Sequence, residues 1–355
     1  MEGTDVSNDH GPRRAASEEM ADSLGLGSSE HRHARGTRRA LLVLLALVAA
    51  LVLMVGAVAA YYLGTVNSAL DKMHRDANLM PSSASSASSP TSTADHEPLT
   101  FVIMGSDSRT ASASQGRSDV LMVAYLTGDR KHLYLISFPR DMWVDIPGHG
   151  TAKINAAYAY GGPALTVSTL ESLTGVKMDH VVVMDFQGFV DLTNSLGGVT
   201  VDNEHAGSWM GYTFAQGPIT VQGEQALAFV RERYDLPNGD LDRAKRQREV
   251  ITAIMSKVAS KDTLTDPQKF ASVTGQLGGY MTVDSSLTSG ELWKIATGMR
   301  FTGSDGVRQL QAPLAGFGTS ADGQSYDIVD RAGLAELSKA MASDQLDAYW
   351  QNHRA

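Results

Sequence analysis

The sequence predicts a mixed α/β domain of three layers, an α-β-α sandwich, carried behind one N-terminal transmembrane helix. Three observations predict it. Residues 40–63 carry no charge and are almost wholly apolar. Beyond residue 98, short apolar runs alternate with segments of helical spacing, the pattern of a layered α/β domain. A Ser-rich stretch without periodicity separates the two.

Residues 1–39 are rich in Gly, Ser, Glu and Arg and show no apolar period, so a disordered tail is expected. Arg32, Arg35, Arg38 and Arg39 crowd just before the apolar run. At ~1.5 Å per residue, Ala40 to Leu63 crosses a hydrocarbon core of ~30 Å. Tyr61 and Tyr62 close the run where an interfacial aromatic belt is expected. The arginines place the tail in the cytoplasm and everything after Gly64 outside the cell membrane, as a single-pass protein. Ala57-Val58-Ala59 resembles a signal-peptide cleavage site, but the run is longer than a signal core and its preceding tail is long, which favours an uncleaved anchor. Residues 64–97 read as a short stalk and a flexible linker ending in PSSASSASSPTSTADHE.

One domain is expected over residues 98–355, because no second linker interrupts it. Leu99 to Met104, Val120 to Leu126, His132 to Phe138 and Val181 to Phe186 read as buried strands, the second and third joined by a turn at Thr127–Arg130. Pro163 to Leu173, Arg248 to Val258 and Arg331 to Met341 have helical spacing. A net charge of −9 argues against nonspecific nucleic-acid binding. The absence of cysteine excludes disulfides, thiol catalysis and thiolate metal sites. The chain has no Walker A loop, no nucleophile elbow and no zinc-binding His pair on a helix.

The densest chemistry lies in FVRERYDLPNGDLDRAKRQRE, from Phe229 to Glu249. Arg231 and Arg233 are two apart, so on a strand they point the same way. Leu236 to Gly239 reads as a turn, after which Asp240 or Asp242 is expected to cap a helix beginning near Arg243. On that helix Arg243 and Gln247 share a face. Two guanidiniums facing a helix N-terminus make an anion pocket; the competing reading is a solvated loop whose acids and bases pair with each other. Asp107 follows the first strand and Asp119 precedes the second. Two carboxylates beside a polar loop suit Mg²⁺, and equally each could cap a turn. Arg140 ends the third strand, so cations gather at several separate loops.

The segments GSDSR, GRSDV, FPRDMW, KINAAYAYGG, QGEQALAFVRERYD and GDLDRAKRQ occur in this order. Together they resemble the extracytoplasmic domain of the LytR–CpsA–Psr family, over roughly residues 99–260. The resemblance implies a phosphotransferase that takes a glycopolymer from a polyprenyl-diphosphate carrier and joins it to a peptidoglycan hydroxyl. It implies Asp107 and Asp119 as ligands of Mg²⁺, with Mn²⁺ as the alternative ion. It implies Arg117, Arg140, Arg231, Arg233 and Arg243 as diphosphate-binding residues, with Asp240 and Gln247 beside the diphosphate. The sequence departs from the family pattern at Val120, Phe138 and Met142, which neighbour these groups. Val181, Val183, Phe186, Phe189, Ile251 and Ile254 are candidates either for a groove holding the lipid tail or for ordinary core. Asp240 is the candidate general base. The alternatives are a hydrolase of the same lipid, with an identical site, and a noncatalytic membrane-anchored lipid binder, which needs the arginines but not both carboxylates.

Overall fold

The computed structural model describes residues 30–82, 86–106, 118–301 and 303–353. Asp107 and Arg117, and the tail expected to be disordered as far as residue 29, lie outside the described residues. The chain forms two units, Met1–Leu63 and Gly64–Ala355. Helix α1 (Glu30–Lys72) runs through the first and ends in the second. Among the described residues it is the one helix long and apolar enough to cross a membrane, with a mean hydropathy of 2.3 over its most apolar window. Leu53 and Val52 on this stretch stand exposed, an arrangement stable in hydrocarbon and costly in water.

The second unit continues with β1 (His74–Asp76), then β2 (Leu99–Ser106), β3 (Ser118–Leu126) and β4 (Leu133–Ser137). A hairpin of β5 (Trp143–Ile146) and β6 (Gly150–Lys153) leads into α2 (Asn155–Thr174) and β7 (His180–Asp185). Next come α3 (Phe186–Ser195), β8 (Val199–Asn203), β9 (Gly207–Trp209), β10 (Tyr212–Phe214) and β11 (Gly217–Val221). Helices α4 (Gly223–Arg231), α5 (Asp240–Val258), α6 (Lys261–Leu264) and α7 (Pro267–Tyr280) precede β12 (Met281–Asp284), α8 (Ser289–Gly298) and β13 (Val307–Gln311). A second hairpin, β14 (Leu314–Thr319) and β15 (Ser325–Val329), is followed by α9 (Arg331–Ala342) and α10 (Leu346–His353).

The main sheet runs β1-β12-β7-β2-β3-β4-β13. It is mixed: β2 pairs with β7 in parallel and with β3 antiparallel. Side chains alternate across such a sheet, and here both faces are apolar. Val102, Met104, Val123, Tyr125, Tyr134, Ile136, Val181 and Val183 pack on one side with Leu170 of α2, Leu337 of α9 and Leu346 of α10. On the other side Phe101, Ile103, Val120, Ala124, Val182 and Met184 face α3, α4, α5 and α8 across a cavity of about 370 Å³. Helices therefore cover both faces, as the three-layer reading expects.

Several expectations change here. Val181 and Val183 belong to the closed core, and the cavity takes their neighbours Val182 and Met184, because one step along a strand reverses the face. The apolar segment before Arg231 is helical, not extended. Leu227 and Val230 are spaced three apart and look into the cavity, while Ala226, Ala228 and Phe229 are buried among α3, β8 and β11, so the helix is enclosed on most sides. Helix α5 starts at Asp240, earlier than expected. Its N-cap is Gly239, with φ 54° and ψ −115°, a backbone conformation that L side chains rarely adopt and that a carboxylate cap could not take. Asp242 instead accepts hydrogen bonds from the backbone and side-chain nitrogens of Asn238 and so holds the turn. Within residues 64–97, β1 pairs with β12, Ser88 N donates to the Gly175 carbonyl oxygen at 3.1 Å, and Ser92 Oγ donates to Asp344 at 2.6 Å, so this stretch is tied to the domain at those points.

Candidate active site

The site forms where β2 and β4 end and β3 begins, facing the start of α5. β2 and β3 are in regular register up to Gly105 opposite Val120, and then Ser106 pairs with Ser118. Asp119 is the extra residue of this bulge, and bulges re-aim a side chain out of the ladder. Its carboxylate, about one fifth exposed, accepts from Arg140 Nη1 at 2.9 Å. Tyr158 on α2 bonds Ser106 Oγ at 3.3 Å and so fixes the end of β2 directly before Asp107. Asn155 N donates to the Arg140 carbonyl oxygen at 3.2 Å and Ile154 N to that of Met142 at 2.8 Å. The KINAAYAY segment is therefore the clamp that holds the loop carrying Arg140.

Asp240 gathers three guanidiniums. Its Oδ2 accepts from Arg140 Nε at 2.9 Å, and its Oδ1 lies 3.4 Å from Arg233 and 3.3 Å from Arg243. Burial alone would raise its pKa, but a hydrogen bond with Asp141 and the charges of Arg243 and Arg140 outweigh burial and hold it well below the usual carboxylate range. A carboxylate so stabilised is a poor proton acceptor, so the structure disfavours Asp240 as general base. Asp141 moves the other way: burial and its hydrogen bond with Asp240 raise it, against Lys153 at 3.0 Å and Arg140 at 3.6 Å.

Arg243 is 5% exposed, and its Nε has no partner among the described residues. Burial lowers the pKa of its guanidinium. A buried unpaired N–H costs on the order of 1–3 kcal/mol, which an entering anion recovers. Arg248, one residue beyond Gln247, likewise leaves Nε and Nη1 unpaired among the described residues.

Arg231 ends α4 and lies with its guanidinium 4.9 Å from the centre of the Phe186 ring. Arg233 follows the helix cap and lies over Tyr234 at 4.8 Å. The two arginines are thus held by a helix end and the turn after it, not by one strand face. Phe186 also lines the cavity, as do Phe189, Ile251 and Ile254. Gln247 joins cavity and charged mouth: it lines the cavity and donates to the carbonyl oxygens of Asp119 at 3.3 Å and Val230 at 3.2 Å. The structure thus brings Asp119, Arg140, Arg231, Arg233, Asp240, Arg243 and Gln247 to one end of an apolar cavity.

Sequence reasoning missed Asp141, Asp327 and the pair beneath the turn. Asp141 had a local signal, adjacency to Arg140. Asp327 had none, because only β15 brings it here, its N donating to the Asp141 carbonyl oxygen at 2.8 Å. Arg246 Nη1 bonds the fully buried Glu232 at 3.1 Å, and its Nη2 bonds Asn203 Oδ1 at 3.0 Å.

Loss of both Arg231 and Arg233 is expected to remove two charge-assisted contacts, on the order of 1.5–3 kcal/mol each. Calorimetric titration of a soluble prenyl diphosphate into the Arg231→Ala, Arg233→Ala double variant measures this. Wild-type affinity in that variant contradicts an anion cradle.

Comparison with known proteins gives one consistent result. A family model described as LytR_cpsA_psr matches residues 60–343. The polyisoprenyl-teichoic acid–peptidoglycan teichoic acid transferase TagU of Bacillus licheniformis is 32% identical over 302 residues, covering 85% of this chain and 94% of that protein. The fold superposes on the crystal structure of Bacillus subtilis TagV with a TM-score of 0.60 at 26% identity, covering 70% of this chain and 97% of that one. It superposes on TagT bound to LIIa-WTA with a TM-score of 0.55 at 28% identity, covering 69% and 89%. With the family model spanning most of the chain and the same residues meeting at one site, this protein belongs to the LytR–CpsA–Psr family.

Proposed function

We propose that the chain is a membrane-anchored phosphotransferase that moves a glycopolymer from a polyprenyl-diphosphate carrier onto a peptidoglycan hydroxyl. The observation that carries this reading is an apolar cavity of about 370 Å³ with arginines at its mouth. A lipid tail buried in the cavity brings its diphosphate against Arg231, Arg233, Arg243 and Arg140. Similarity to the teichoic acid transferase TagU supports the reaction class. The exposed apolar stretch of α1 supports an anchor, with the N-terminus cytoplasmic and the domain outside.

The reaction asks the protein mainly to position and to neutralise charge. The arginine forks hold the phosphate oxygens and stabilise the charge that builds on the departing polyprenyl phosphate. Asp240 holds three of those arginines in place between turnovers. Asp119 offers a hard carboxylate oxygen at the bulge, and this donor chemistry fits Mg²⁺ or Mn²⁺. Asp107 and Asp119 are the residues that would hold such an ion. Bound there, it would supply further neutralisation of the diphosphate.

The test is direct. Protein extracted from membranes should carry a polyprenyl phosphate detectable by mass spectrometry, and Ile254→Trp should lose it by filling the cavity while melting within a few degrees of wild type. Transfer of a labelled lipid-linked saccharide to peptidoglycan oligomers should appear as a joined product. Free sugar phosphate as the sole product, with acceptor abundant, would instead identify a hydrolase.

A further inference from the structure

The site has two halves of opposite character. Arg231, Arg233, Arg243 and Arg140 form one. The other is made by Asp141, by Lys153 of β6 and by Asp327 of β15. Asp141 Oδ1 pairs with Lys153 Nζ at 3.0 Å, and its side chain is 19% exposed. Asp327 is 6% exposed, and its Oδ2 has no hydrogen-bond partner among the described residues. Its backbone is pinned to the Asp141 loop, and Met142 and Asp327 form a bridge. Beside them, Trp143 stacks on Tyr326 with ring centres 4.6 Å apart. A diphosphate is repelled from this half. A neutral hydroxyl on a saccharide is not.

We propose that Asp141 is the catalytic base that takes the proton of the acceptor hydroxyl, and that Asp327 is a positioning residue that tunes it. The proposal rests on the transferase reading above. The acceptor oxygen forms its bond to the phosphorus on the glycopolymer side. The bond from that phosphorus to the bridging oxygen breaks, and its electron pair leaves with the polyprenyl monophosphate. The acceptor's proton passes to Asp141 and from there to solvent or to the departing phosphate. Three carboxyls, Asp141, Asp240 and Asp327, share this corner with Lys153, Arg140 and Arg243. Asp240 is committed to the arginines, so the proton that links it to Asp141 belongs to Asp141, and once that proton has left to solvent Asp141 is the carboxylate free to take the acceptor's. Burial and the charges of Asp141 and Asp240 push Asp327 up to about 6, which marks the crowding of negative charge here.

Initial rates of transfer from a labelled lipid-linked saccharide to peptidoglycan oligomers, measured with full-length protein in detergent across pH 4–9, test this together with calorimetric binding of a prenyl diphosphate. In wild type the rate should fall as pH drops through the pKa of Asp141. Asp141→Asn should lose roughly 10²–10⁴-fold in kcat, a range set by general-base catalysis, and should lose the acidic limb, while prenyl-diphosphate affinity stays within a few fold. Asp141→Glu should recover part of the rate. Asp327, pushed up to about 6 by burial and by the Asp141 charge, takes its proton before Asp141 does as pH falls, so Asp327→Asn should slow transfer above about pH 6, where the ionised carboxylate keeps Asp141 basic, and leave the rate near wild type below it. Near-wild-type kcat in Asp141→Asn overturns the proposal. So does a rate in Asp327→Asn that equals wild type at every pH, or a loss of donor affinity in Asp141→Asn equal to its loss of rate, which would mark a merely structural role. A wild-type protein that releases sugar phosphate and never joins it to acceptor overturns the transferase reading instead, and is recognised before any variant is made.

Discussion

Arg246→Ala is expected to lower the stability of the domain by about 3–5 kcal/mol, the effect of breaking a buried ion pair from one side. Glu232 is fully buried and accepts from Arg246 Nη1, so the substitution strands a buried carboxylate without its cation. The same guanidinium donates to the His205 carbonyl oxygen at 2.8 Å and to Asn203, and lies 4.3 Å from the Phe229 ring centre, so those contacts go as well. At about 2–4 °C per kcal/mol for domains of comparable size, the melting midpoint should drop by roughly 6–20 °C. Thermal unfolding followed by circular dichroism measures it. Because Glu232 sits between Arg231 and Arg233, donor binding should weaken in parallel. A midpoint within about 2 °C of wild type would mean that the pair is not the stabilising device its burial indicates.

Asp119→Asn should abolish transfer while sparing donor binding. The amide keeps the size of the side chain but removes its charge, so the bulge loses its hard anionic oxygen and Arg140 loses one of its carboxylates. If Asp119 helps to hold a divalent ion, transfer by the wild type should also stop in chelator and return with added Mg²⁺ or Mn²⁺. The prenyl diphosphate meets less repulsion at the variant's mouth, so its affinity should hold or rise. A role confined to turn capping predicts the reverse, since Asn caps about as well as Asp. Rates of saccharide transfer for Asp119→Asn, set beside wild type with and without chelator, separate the two roles: a fully active variant removes the metal assignment for this residue.

The central strands β2, β3, β4 and β7 were legible in the sequence because each is a short apolar run, and α9 because its period is clear, whereas the outer strands β1, β12 and β13 and the small hairpins carry no such run. Helix α4 was not, because five apolar residues from Ala226 to Val230 fit a buried strand or a buried helix equally by period. Most of the charged positions of the candidate site were legible as motifs, while their chemistry came from the resemblance to a family, because the spacing of charges fits a solvated loop as well. What the sequence withheld was which charges meet. That Arg140, Arg233 and Arg243 share Asp240 depends on a glycine-capped helix start and on a loop clamped by α2. That Val182 rather than Val181 faces the cavity depends on strand parity. Asp327 enters the site through a hairpin far along the chain, which no local pattern announces.

Helix α5 has a consequence for the choice of carrier. Arg243 and Gln247 stand in its first turns, and Ile251, Ile254 and Met255 line the cavity further along. From Arg243 to Met255 the helix advances ~18 Å at ~1.5 Å per residue. If the proposed prenyl diphosphate is the donor, the helix acts as a ruler, with its zero at the phosphates and its scale along the hydrocarbon. A prenyl tail shorter than the scale leaves part of it unread, and every methylene beyond it must find cover elsewhere. One residue inserted between Gln247 and Ile251 would turn the scale by about 100° against its zero, putting grip and measure out of phase at once.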